Sequence, residues 1–152
     1  MFICTGNICR SAMAEGMMKK IVKEENIEAQ VYSCGIYAET GDYATYNAIE
    51  AVKEYEVDIS LHRATNIRES QIEEMDLILC ATISHKQSVL YLHPTLEGKV
   101  YTMKEYANLD KNGQDLDIKD PWGYNENVYY HCALEIEECL TKIVEKLKKE
   151  QK

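Results

Sequence analysis

Only two prolines, Pro94 and Pro121, and seven glycines occur in 152 residues, and neither is gathered into a tract. That scarcity excludes a flexible linker, a collagen-like repeat and a proline-rich tail. No apolar run approaches the ~18 residues of a membrane-crossing helix. The N-terminus also lacks the apolar stretch of a secretion signal. A cytoplasmic protein with no membrane partner is expected. Positive charge is short as well: 17 Lys and Arg stand against 26 Asp and Glu, a net charge of −9. Phosphate backbones reward an excess of cations, so no nucleic-acid partner is expected. If the ligand is an anion, its site must be built locally, against the overall field.

What is present suffices for a core. An apolar fraction of 45% with 28% charged residues is a globular composition, and the length suits one domain over residues 1–152. Six cysteines do not form a disulfide framework in a chain this long with no sign of secretion. Cys80, Cys132 and Cys139 fall at apolar positions of expected elements and read as core. Cys4 and Cys9 have the wrong spacing for zinc, so no metal and no organic cofactor is expected.

Residues 1–4 read as a short apolar strand, followed by a helix over about 11–25. A second strand over 31–34 is closed by Gly35. Thr45 caps a helix with Ala48, Ile49, Val52 and Tyr55 on one face. A short helix around 69–74 precedes the continuous apolar run DLILCA, typical of a buried parallel strand. A helix over 84–92 and a strand over 100–103 follow. In the last helix Val128, Cys132, Ile136, Cys139, Leu140, Ile143 and Leu147 make one stripe. This alternation predicts an α/β fold: an open four-stranded parallel sheet with helices on both faces. Ligands of such sheets bind beyond the C-terminal strand ends. Residues 4–10 occupy that place after the first strand.

The segment Cys4-Thr5-Gly6-Asn7-Ile8-Cys9-Arg10-Ser11 runs from strand end to helix start. Backbone N–H groups of such a turn, with those of the helix start, form a cradle for an anion. Gly6 and Asn7 tolerate the unusual backbone angles a tight cradle needs. Arg10 adds a planar fork able to grip two phosphate oxygens. Cys4 at the floor of the loop feels these dipoles and Arg10, which stabilise its thiolate, a nucleophile aimed at phosphorus. The nucleotide-binding pattern G-x4-G-K-[ST] is absent. A proton for the leaving oxygen is best supplied by Asp120 in IKDPWGYNEN, where Pro121 stiffens the loop and Trp122 offers a flat apolar wall.

These residues resemble the low-molecular-weight protein tyrosine phosphatase family, bacterial branch. FICTGNICRSAMAEG is similar to its C-x5-R-S signature, and DPWG to its Asp-Pro-aromatic loop. SCG at 33–35, residues 48–64 and residues 76–87 follow the family pattern in order. The resemblance implies that Cys4 attacks phosphorus while Arg10 and the amides of residues 5–10 (Thr5, Gly6, Asn7, Ile8, Cys9) hold the equatorial oxygens. It implies that Ser11 hydrogen-bonds the thiolate, and that Asp120 protonates the leaving tyrosyl oxygen and then activates water. Asn7 is expected to brace the loop with Ser33 and His62 as partners, and Cys9 to trap an oxidised Cys4 as a disulfide. Ile8, Trp122 and Tyr37 are expected as walls for the substrate. Substrates would be phosphorylated proteins or peptides, and the product inorganic phosphate.

Other stretches, ATISHKQ and VYTMKEYAN among them, resemble the related protein arginine phosphatases. Those enzymes carry threonine at the position of Ile8, whose hydrocarbon suits an aromatic ring. Phosphotyrosine is therefore the expected substrate, with phosphoarginine second. Thioredoxin-coupled arsenate reductases need a downstream cysteine pair, whereas Gln87 and Ser88 follow Cys80 here. A cysteine phosphocarrier would have no use for Arg10 and Asp120 in hydrolysis.

Overall fold

A computed structural model describes residues 1–109 and 115–151. Four three-residue strands, β1 (Phe2–Cys4), β2 (Ser33–Gly35), β3 (Ile78–Cys80) and β4 (Val100–Thr102), form one sheet in the order β2-β1-β3-β4. All neighbouring pairs are parallel, with Ile3 opposite Cys34 and Cys80, and Leu79 opposite Tyr101. The expected four-stranded parallel sheet is therefore what forms. From β1 the chain passes to one side for β2 and then to the other for β3. That reversal opens a crevice at the C-terminal end of β1.

Side chains alternate across the strands, so each strand feeds two cores. Phe2, Cys4 and Leu79 pack beneath α1 (Arg10–Glu24), α2 (Tyr46–Lys53) and the last helix. Ile3, Cys34, Ile78 and Cys80 face the other way, toward Ile67, Ile72 and Val89 of α3 (Ile83–Leu92). Both faces are thus covered. A short helix, α4 (Met103–Tyr106), follows β4, and the long α5 (Glu126–Glu150) ends the fold. Its stripe residues Ile136, Cys139, Leu140 and Ile143 are fully buried. Each large aliphatic side chain among them stabilises the fold by roughly 1.5–3 kcal/mol through area removed from water.

Caps set several boundaries. The side chains of Thr45, Thr82 and Asn125 each accept a backbone N–H in the first turn of α2, α3 and α5. Several expected boundaries differ. The strand expected over 100–103 stops at Thr102, because Thr102 and Glu105 close a reciprocal capping box that starts α4. The helix expected around 69–74 is two 3-10 turns, Ile67–Glu69 and Ile72–Glu74, divided at Ser70, whose backbone is extended. The second strand is displaced by one to two residues, spanning Ser33–Gly35.

Candidate active site

The loop from Cys4 to Arg10 is held at both sides by backbone hydrogen bonds. Ile36 N–H donates to Cys4 O (3.0 Å), Tyr37 N–H to Thr5 O (2.9 Å), and Thr45 N–H to Ile8 O (3.0 Å). Asn7 sits at φ 57°, a left-handed conformation that asparagine tolerates better than most residues. Among the described residues, the N–H groups of Gly6, Ile8, Cys9 and Arg10 find no acceptor. They are the free donors of an anion cradle.

Asn7 is fully buried and braces this shape. Its Oδ1 accepts from Thr65 N–H (2.9 Å), which fixes the orientation of the amide. The amide Nδ2 then donates to Ser11 Oγ and Ser33 Oγ, both at 2.8 Å. Ser33 in turn donates to Glu15 Oε1 (2.6 Å). Ser11 Oγ, having accepted from Asn7, has its own proton free for Cys4 Sγ at 2.9 Å. Asn7 N–H also donates to Cys4 Sγ (3.3 Å), and His62 Nε2 donates to Asn7 O (2.7 Å). Two donors therefore converge on the Cys4 sulfur.

Arg10 is 4% exposed and reaches across to the loop before α5. Its NH1 donates to Ile118 O (2.9 Å), and its NH2 lies 3.6 Å from Asp120 Oδ2. Ile118 is fixed there because its N–H donates to Ala81 O (2.8 Å) beyond β3. Arg10 Nε is buried without a partner among the described residues. A buried unpaired donor costs about 1–3 kcal/mol, more when charged, and marks a place where a ligand acceptor fits. Asp120 is half-exposed at the rim, and its Oδ1 accepts from Trp122 N–H (3.1 Å).

Cys4, Thr5, Gly6, Ile8, Cys9, Arg10, Asp120 and Trp122 line one cleft of about 240 Å³. A larger hollow, about 510 Å³, opens beside Met1 and Leu77 at the other end of the sheet. Chemistry rather than volume marks the smaller one, which gathers a thiol, a guanidinium and a carboxylate. Tyr37 is not part of it. Its backbone anchors the loop, but its side chain is 78% exposed and lies outside the lining. The expected second wall is thus absent from the cleft, and Ile8 and Trp122 remain.

Cys9 Sγ lies 3.3 Å from Tyr129 OH and 3.6 Å from Thr45 Oγ1. Burial pushes its thiol pKa up, and hydrogen bonds from those two hydroxyls only partly offset this. Cys9 is therefore kept protonated. Burial likewise drives Cys34, Cys132 and Cys139 up to about 12, as befits inert core thiols. All six cysteines are free. Among the described residues no three His, Cys, Asp or Glu side chains gather as a metal site, and no helix is long and apolar enough to cross a membrane.

Glu15, Thr65 and Ile118 escape sequence reasoning because their contacts join distant segments. His85 escapes for the same reason: its Nε2 lies 2.8 Å from Thr5 Oγ1, eighty positions away.

A parallel sheet with a thiol under an anion cradle, and a carboxylate at its rim, defines a phosphate-handling α/β enzyme. Residues 1–152 match the family model described as low molecular weight phosphotyrosine protein phosphatase, and the chain belongs to that family of hydrolases. It is 35% identical over 151 residues to the protein-arginine-phosphatase of Bacillus subtilis, covering 99% of this chain and 97% of that protein. It is 32% identical over 130 residues to the low molecular weight protein-tyrosine-phosphatase PtpB of Staphylococcus haemolyticus, 84% of each chain. Among solved structures it matches the low molecular weight protein tyrosine phosphatase of T. tengcongensis with a TM-score of 0.87 and 38% identity, over 95% of this chain and 96% of that one.

Proposed function

We propose that residues 1–152 act as one catalytic domain that hydrolyses phosphotyrosine in proteins or peptides through a phosphocysteine. Cys4 Sγ, as thiolate, attacks phosphorus, and the P–O bond to the tyrosyl oxygen breaks. The electron pair leaves with that oxygen, which takes a proton from Asp120. Arg10 and the free amides of the loop hold the three equatorial oxygens, whose charge peaks in the transition state. Water then attacks the phosphocysteine, giving its proton to the Asp120 carboxylate. The S–P bond breaks, inorganic phosphate is released, and Ser11 steadies the returning thiolate. Cys9 stands beside the nucleophile as the thiol that would capture an oxidised Cys4 in a disulfide.

One observation carries the choice of substrate: Ile8 lines the cleft together with Trp122, which offers an apolar slot to an aromatic ring. Phosphoarginine is the second reading, favoured by the likeness along nearly the whole chain to the protein-arginine-phosphatase of Bacillus subtilis. Free cysteines fit a reducing compartment, and we place the enzyme in the cytoplasm. The test is parallel turnover of matched phosphotyrosine and phosphoarginine peptides by wild type and Ile8→Thr. The expected result is a phosphotyrosine preference in the wild type that shifts toward phosphoarginine in Ile8→Thr. A wild-type preference for phosphoarginine overturns the choice.

A further inference from the structure

Behind the mouth of the cleft, three side chains form a line that the mechanism above leaves unused. His85, 8% exposed, sits in the first turn of α3. Its Nδ1 lies 2.9 Å from Thr82 Oγ1 and its Nε2 2.8 Å from Thr5 Oγ1. Thr82 is the cap of α3, and its Oγ1 already accepts from His85 N–H (3.1 Å). Thr5 follows the nucleophile Cys4 directly and lines the cleft.

The direction of this chain follows from counting donors. The imidazole is neutral near neutral pH: burial, reinforced by the Arg10 cation, lowers its pKa to about 4, against an opposing pull from Asp117 and Asp120. A neutral ring has one N–H to give. Thr82 is half-buried, and its hydroxyl proton has no acceptor among the described residues other than Nδ1. Thr5 is exposed at the cleft, where a ligand oxygen or water can take its proton. The arrangement that satisfies the more buried group first has Thr82 donating to Nδ1. Nε2–H then donates to Thr5 Oγ1, and the Thr5 proton is left facing the cleft.

We propose that Thr82, His85 and Thr5 form a hydrogen-bond relay in which His85 is a positioning residue and the Thr5 hydroxyl is a side-chain donor to a phosphoryl oxygen of the substrate. The proposal rests on the phosphatase reading of the cleft. Amides of the loop bind the oxygens facing the helix start; the Thr5 hydroxyl adds a donor from the α3 side. Without His85 the Thr5 side chain is free to rotate and its donor loses its aim.

The test is the binding of inorganic phosphate, by calorimetry and as a competitive inhibitor, to wild type, Thr5→Val, His85→Leu, His85→Gln and Thr5→Val/His85→Leu. Thr5→Val keeps the branched shape and removes the hydroxyl. It is expected to weaken phosphate about tenfold with Tm nearly unchanged. His85→Leu should weaken it to a similar extent, and the double variant no further. His85→Gln, whose Nε2 can replace the ring donor, should bind within about twofold of wild type. Unchanged phosphate affinity in Thr5→Val overturns the relay, as do additive losses in the double variant. Should His85→Leu fail to fold, Thr5→Val and His85→Gln still decide. Failure of the wild type to bind phosphate at all would instead overturn the phosphatase reading itself.

Discussion

Asn7 spends every polar atom it has on holding the cradle. Its N–H and side chain reach Cys4, Ser11, Ser33 and Thr65, and its carbonyl accepts from His62. One left-handed residue thereby ties the loop to α1, to β2 and to the segment 62–65. Cys4 and Arg10 were legible in the loop from their types and spacing, whereas Asn7 as the brace, with Ser33 and His62 as partners, was expected only through the family resemblance. Glu15 and His85 were not legible, since a carboxylate on a helix and a histidine near a cap have no local mark of their partners. Asp120→Asn should lower kcat on a phosphotyrosine peptide roughly a hundredfold or more, the usual worth of a general acid. The loss should be much smaller on an aryl phosphate with an electron-withdrawing ring, whose phenolate leaves without a proton. Equal losses on both substrates, measured by steady-state kinetics, would place Asp120 outside proton transfer.

Among the elements, β2 carries a consequence for the site. A Cβ on Gly35 would stand 2.5 Å from Thr5 O and 2.9 Å from Asn7 N, both backbone atoms of the loop. Only glycine lets the end of β2 come so close to the cradle. Gly35→Ala is therefore expected to shift the loop and lower kcat/KM at least about tenfold, since sub-ångström misplacement of catalytic groups is costly. Overpacking of this kind costs about 1–3 kcal/mol, which a thermal melt would show as a modest drop in Tm. Unchanged kcat/KM would mean that the loop tolerates displacement. α2 was legible from its Thr45 cap and apolar face and α5 from its stripe, whereas the short α4 was not expected. The boundary at Thr102 was misjudged because VYT reads on as strand through Met103, although the Thr102–Glu105 capping pair was present in the sequence. Residues 69–74 lack an unbroken helical stripe, and Ser70 divides them.

For the whole molecule, the strand order and the charge balance act together. The order β2-β1-β3-β4 puts the C-terminal end of β1 at the reversal of the sheet, and the α/β alternation in the sequence already pointed there. The chain as a whole carries −9, yet Arg10 and free backbone dipoles make this one crevice attractive to a phosphoryl group. What the alternation could not convey is how the segment 115–120 folds back, through Ile118 N–H on Ala81 O, to bring Asp120 to within 3.6 Å of Arg10. The proposed nucleophile and clamp, Cys4 and Arg10, and the proposed acid, Asp120, thus come from segments more than a hundred residues apart. The central claim is that Cys4 Sγ is the atom that takes the phosphoryl group. Turnover of a phosphotyrosine peptide by Cys4→Ser, with circular dichroism to verify the fold, tests it most directly. A fall in kcat of at least about 10,000-fold in a folded variant is the predicted result. Turnover within tenfold of wild type would contradict it.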